Sequence, residues 1–259
     1  MLDSARRRQL QKDNLLALLR NGAFQFADER RPWFPYTSGQ IGPYYVQSIA
    51  VERDGAAYAA AVDAVVELIR AEFPGADTIS GGETRDWDFS NPAAVALRLP
   101  HVKLYKDGKT LGADIRGRRL LHVADLNNEG SSVRDFWKPI VEKNGGTLAG
   151  VVFYVDRLEE GTDVMRDLVL PAQAVVPLDE AAWTEARKEG FVSESLYASL
   201  LARLRDRHAW ARQALVNHPD TFLELYRPSA TRSKAEKIMR TYPDLKDFFA
   251  RLLKDAGAA

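Results

Sequence analysis

The chain has 259 residues, and Lys plus Arg (36) balances Asp plus Glu (36), so no net basic field exists to gather nucleic acid. Apolar residues make up 46% and charged residues 28%, as in ordinary globular proteins, and no stretch approaches the roughly 20 apolar residues of a membrane span. The absence of cysteine excludes disulfides and thiolate chemistry, and the four histidines show no metal-ligand spacing. The expectation is a soluble cytoplasmic protein with no membrane or nucleic-acid partner.

From the start, RRRQLQKDNLLALLRNGAF places Leu10, Leu15, Leu18 and Leu19 at helical spacing and stops at Asn21-Gly22. YYVQSIAV has strand composition, and DGAAYAAAVDAVVELIRAEF is an alanine-rich amphipathic helix. ADTISGGETRDWDF reads as a short strand turning at Gly81-Gly82. NPAAVALRL reads as a helix capped by Asn91 with Pro92 at its first position. HVKLYKDGK is strand then turn, RRLLHVADL a fully buried strand, SSVRDFWKPIVEKNGG a helix, and TLAGVVFYVDR another buried strand. Alternation of this kind implies α/β architecture, a mainly parallel sheet covered by helices. After about residue 176 the pattern turns helical throughout, which divides the chain into an α/β domain over 1–176 and a helical extension over 177–259.

In open α/β sheets ligands sit beyond the carboxyl ends of the strands. Asp125 lies at such an end, followed by Leu126 to Ser132 and a helix. Free N–H groups at that helix start favour an anion, with Gly130 allowing a tight turn and Ser131 and Ser132 adding hydroxyls. The same pattern also serves as an N-capped connection without a ligand.

The loop and several other segments resemble the phosphoribosyltransferase family, above all the orotate phosphoribosyltransferases. NGAFQF with YTSGQIGPYYV is similar to that family's amino-terminal segment, ISGGETRDWDF to its glycine-glutamate turn, LPHVKLYKDGK to the strand before its catalytic loop, and VVFYVDR to the strand ending in an arginine over the base. They occur in family order over roughly residues 10 to 160. The resemblance implies that Asp125 contacts a ribose and that Asn128, Glu129, Gly130, Ser131 and Ser132 hold its 5′-phosphate. It also implies that Lys106 and Lys109 gather the departing pyrophosphate with Mg²⁺. Ser38, Gly39, Tyr45 and Arg157 would border the orotate base, and the protein would be a homodimer binding phosphoribosyl pyrophosphate and orotate, or a related nucleotide.

The pattern departs from the family at several positions. Ala124 stands where a second acid is expected, Asn127 replaces an apolar residue, and Tyr105 and Leu111 replace an arginine and a histidine. Glu129 must point outward, be offset by a cation or Mg²⁺, or exclude a phosphate, because two like charges in contact repel strongly. Two functions follow: weak orotate phosphoribosyltransferase activity, or a non-catalytic descendant that binds a nucleotide, a sugar phosphate or a partner protein. Lys103, Lys106 and Lys109 also read as a solvated strand edge. Glu83, Arg85, Asp86 and Asp88 around Trp87 read as a surface ion-pair turn, and His122 as a satisfied core histidine.

Overall fold

The computed structural model describes residues 1–257, so the last two positions of the expected 177–259 extension lie outside the described residues. Helix α1 (Ser4–Arg20) leads to four short strands, β1 (Phe24–Phe26), β2 (Phe34–Pro35), β3 (Ile41–Gly42) and β4 (Tyr44–Val46), and a 3-10 turn over Ser48–Arg53. Next come α2 (Gly55–Glu72), β5 (Thr78–Gly82), α3 (Asp86–Leu97), β6 (His101–Leu104), β7 (Thr110–Gly112) and β8 (Arg119–Asn127). A π-helical turn (Val133–Trp137) runs into α4 (Lys138–Lys143), then β9 (Thr147–Asp156), α5 (Glu160–Asp167) and β10 (Ala172–Pro177). Helices α6 (Glu180–Lys188), α7 (Glu194–Arg205), α8 (Arg207–Asn217), α9 (Pro219–Tyr226), α10 (Ser229–Thr241) and α11 (Lys246–Asp255) complete the chain. No helix among the described residues is long and apolar enough to cross a membrane.

The main sheet has six strands in the order β10-β9-β8-β5-β6-β7, parallel throughout except for the antiparallel β6–β7 pair. This is the α/β architecture that the alternation implies. Strands β8 and β9 are buried on both faces, which is why RLLHVAD and GVVFYVD read as continuous runs without alternation. A bulge after Leu120 shifts their register, so that Asn127 ends level with Asp156 at the carboxyl edge. Trp137, Val141, Val151, Phe153, Leu104 and Met165 share one apolar cluster against that sheet. Each large side chain buried there contributes about 1.5–3 kcal/mol.

Two elements differ from expectation. The helix placed at Asn91 begins at Asp86, and Pro92 lies inside it. The carbonyl of Asp88 is the one Pro92 cannot serve, and it accepts instead from the Tyr58 hydroxyl, so the helix continues. The strand read across YYVQSIAV covers only Tyr44–Val46 before the 3-10 turn.

The chain divides into two compact units: residues 1–23 with 47–186, and residues 24–46 with 187 onward. The division expected near residue 176 kept 24–46 with the sheet and ended the α/β part inside what is strand β10. In the second unit Trp33 and Ile41 share a core with Ala211, Leu215, Phe222, Ile238, Tyr242 and Phe249 of the helices. A two-residue strand carries no periodicity that would say which core its aromatic neighbours join.

Candidate functional site

Strand β8 brings Asp125 to the carboxyl edge, 9% exposed. Its Oδ2 accepts a hydrogen bond from Ser48 Oγ at 2.6 Å. Its backbone N–H donates to Asp86 Oδ1 at 3.1 Å. The other Asp86 oxygen accepts from Gly82 N–H at 3.0 Å and faces His122 Nε2 at 3.2 Å, while His122 Nδ1 lies 3.1 Å from Ser80 Oγ. His122 is thus the satisfied core histidine its strand implies. Asp86 corrects the surface-turn reading of ETRDWD: it is buried, and it ties together β5, β8 and the start of α3. Burial first, then the Asp86 charge, pushes Asp125 up to about 7, against the lowering effects of the Ser48 bond and the Arg85 charge. A buried negative charge beside a carboxyl opposes that carboxyl's ionisation.

Beyond Asp125 the loop turns at Gly130, whose φ of +65° is a left-handed conformation that favours glycine. The carbonyl of Asn127 accepts from Arg157 N–H at 3.1 Å and that of Asn128 from Gly161 N–H at 2.9 Å. The first bond of the following helix runs from Arg134 N–H to Gly130 O at 3.1 Å, so the N–H groups of Ser131, Ser132 and Val133 precede it and are unpaired within the helix. One face of the glycine is covered. A Cβ there would lie 3.0 Å from Val164 Cβ and 3.1 Å from both Gly161 Cα and Met165 Cε of α5. Glu129 lies near enough to Arg134 for its charge to act on that guanidinium. Arg134 is raised above its ordinary value chiefly by its bond to Asp135, and also by the Glu129 charge.

Arg157 does not point into an open base pocket. Its guanidinium donates to Glu159 Oε1 at 2.8 Å, with the two side chains only 4% and 7% exposed. The turn between them is tight: Leu158 has φ of +55°, and its N–H donates to Asp156 Oδ1 at 2.8 Å.

Lys106 and Lys109 sit at the tip of the β6–β7 hairpin, closed by Tyr105 N–H to Lys109 O at 3.0 Å and Gly108 N–H to Tyr105 O at 2.9 Å. The Lys106 N–H also donates to Glu83 Oε1 at 2.9 Å. The ammonium groups of Lys103, Lys106 and Lys109 lie over Trp87, Phe136 and Tyr105 at 4.8, 5.7 and 5.4 Å. The segment is a short turn, with no length for a closing lid. Strand β6 is paired on both sides, so Lys103 is not an edge residue; the edge is β7.

Ser38, Gly39 and Tyr45 belong to the second unit. Ser38 Oγ accepts from Gln40 N–H at 3.2 Å. Gly39, at φ of +91°, packs on α10: a Cβ there would fall 2.4 Å from Thr241 Oγ1 and 2.9 Å from the Lys237 carbonyl. Lys237 Nζ donates to the Thr37 carbonyl beside it. Tyr45 is half-buried opposite Gln25, whereas Tyr44 is the buried member of the pair. The first unit therefore holds Asp125, the 128–132 loop, Arg157, Lys106 and Lys109. The sequence reading missed Ser48, Glu159 and helix α5, and misplaced Asp86. Ser48 and Asp125 are 77 residues apart, and no local signal joins them.

No family model matches the chain. It is 25% identical to the orotate phosphoribosyltransferase of Methanopyrus kandleri over 169 residues, 63% of this chain and 87% of that protein. It is 31% identical to the adenine phosphoribosyltransferase of Desulfitobacterium hafniense over 125 residues, 40% of this chain and 70% of that protein. Among solved structures, the fold matches orotate phosphoribosyltransferase from Francisella tularensis with a TM-score of 0.61 at 20% identity, covering 74% of this chain and 96% of that one. With the sheet order, the acidic strand end and these relatives in agreement, the chain belongs to the phosphoribosyltransferase family and is most like its orotate members.

Proposed function

We propose that the protein binds phosphoribosyl pyrophosphate at the turn beyond β8 and transfers its phosphoribosyl group to orotate slowly. The observation that carries this is the open helix start: the N–H groups of Ser131, Ser132 and Val133 lie ahead of the first helical bond, beside two serine hydroxyls and just past Asp125. Such a terminus favours a phosphate. Displacement at the anomeric carbon passes through an oxocarbenium-like transition state. Asp125 orients the ribose, and Lys109 and Lys106 stabilise the departing pyrophosphate. When bound, magnesium would supply charge neutralisation on the pyrophosphate that Lys106 and Lys109 gather. Among the described residues no group of three or more His, Cys, Asp or Glu side chains is placed to hold a metal ion, and both Asp86 oxygens accept hydrogen bonds.

A second reading, a non-catalytic descendant that binds a nucleotide or sugar phosphate, is favoured by one observation. Arg157 is already neutralised by Glu159. Calorimetry with phosphoribosyl pyrophosphate and Mg²⁺, followed by a coupled turnover assay with orotate, separates the two. Binding with turnover within about a hundredfold of the median enzyme rate near 10 s⁻¹ supports the first. Binding without turnover supports the second. The absence of binding sinks both. A cytoplasmic homodimer is part of the same proposal, tested by sedimentation.

A further inference from the structure

The second acid that Ala124 removes from the strand end returns through space. Asp86, 39 residues earlier in the chain, takes the Asp125 N–H. The same carboxylate is held by Gly82 N–H and His122, and His122 by Ser80. Asp86 and Asp125 are 8% and 9% exposed, so water screens neither. Four groups complete the surroundings. Ser48, on the 3-10 turn, donates to Asp125; Arg85 lowers it; Asp88 faces Asp86; and His122 faces Asp86 from β8.

We propose that Asp86 is a positioning residue: anchored by Gly82 and His122 and bonded to the Asp125 N–H, its buried carboxylate keeps the proton on Asp125, so an anionic ligand at the β8 turn meets one negative charge instead of two. This rests on the reading of the turn as a phosphoribosyl site. The proton moves from solvent to Asp125 as pH falls, and no other bond forms or breaks. A buried carboxyl beside a fixed negative charge ionises late, because its own charge is opposed by the first. The neutral shift of Asp125 agrees with this arrangement.

The test is a pH series from 6 to 8 in the intact protein, with phosphoribosyl pyrophosphate as the probe, measured by calorimetry for the wild type, Asp86→Asn and Asp125→Asn. Alongside it, carboxyl-carbon NMR follows the titration of Asp125. The ligand's own phosphate, with its second ionisation near about 6, titrates identically against all three proteins. The wild type is expected to lose roughly tenfold in affinity between the two ends beyond what either variant loses, because only it gains a second charge. Asp86→Asn is expected to move the Asp125 midpoint down by at least about one pH unit. Parallel affinity profiles in all three proteins overturn the proposal, as does an Asp125 midpoint that Asp86→Asn leaves in place. If Asp86→Asn does not fold, Asp125→Asn supplies the same contrast, since its amide oxygen still accepts from Ser48. If none of the proteins binds the probe, the phosphoribosyl reading falls, and the midpoint comparison alone decides whether Asp86 keeps the proton on Asp125.

Discussion

The Arg157 guanidinium meets the Glu159 carboxylate at 2.8 Å, with both side chains almost sealed from water. Removing one member of a buried pair strands the other, at a cost of about 3–5 kcal/mol. Glu159→Gln is therefore expected to lower stability by that order, and to free Arg157 for an incoming carboxylate. Denaturant unfolding checks the first effect and orotate affinity the second. A variant that loses stability without gaining any affinity for orotate would show that Arg157 holds the turn and not an acceptor.

Gly130 couples the loop to α5. Ala at this position adds a methyl group 3.0 Å from Val164 Cβ in a left-handed backbone. Gly130→Ala should cost about 1–3 kcal/mol from backbone strain and crowding together. It should also weaken binding of phosphoribosyl pyrophosphate, because the helix start moves with the turn. Unfolding and calorimetry on one preparation give both numbers.

Glu129 is half-buried in the loop, and its charge raises Arg134. Glu129→Thr should tighten phosphoribosyl pyrophosphate binding by a few fold in dilute buffer. The gain should largely vanish near 1 M salt, where the Debye length falls to about 3 Å. An affinity gain that survives high salt would point to a direct contact and not to a field effect.

Stability should vary with pH through two groups of opposite sense. Asp125 rises from 3.8 to about 7 on folding, through burial first and then Asp86. The folded chain therefore holds the extra proton between those values. Stability from this group is present at acid pH and declines as pH climbs through the window. His101 falls from 6.5 to about 4, through burial first and then the charges of Lys103 and His122. Its neutral form is the folded one, so stability declines as pH drops across that range. Asp125→Asn should be more stable than the wild type at pH 8 and similar near pH 4. His101→Gln should flatten the acid arm alone. Urea midpoints from pH 4 to 8 test both.

Part of the fold was legible in single segments. RLLHVAD and GVVFYVD show no polar–apolar alternation because both faces of a central parallel strand are buried. DGAAYAAAVDAVVELIRAEF is helical because its valines and leucines recur at helical spacing behind an Asp54 cap. Helix α5 and strand β10 escaped notice: EGTDVMRD is short and polar, and AQAVVP is only partly buried. Their existence depends on having β9 to pack beside, not on their own propensity.

The candidate site divides in the same way. Sequence alone determined the acidic strand end at Asp125, the glycine turn and the serines that open the next helix, because a strand, a turn and a cap are each specified within a few consecutive residues. Only the tertiary structure decided that Asp86 stands beside Asp125, that Glu159 occupies Arg157, that α5 covers Gly130 and that the Ser38-Gly39 turn belongs with the helical tail. Each of these depends on desolvation, or on which distant side chain fills a given space. That is settled when the chain closes on itself, and no local pattern encodes it.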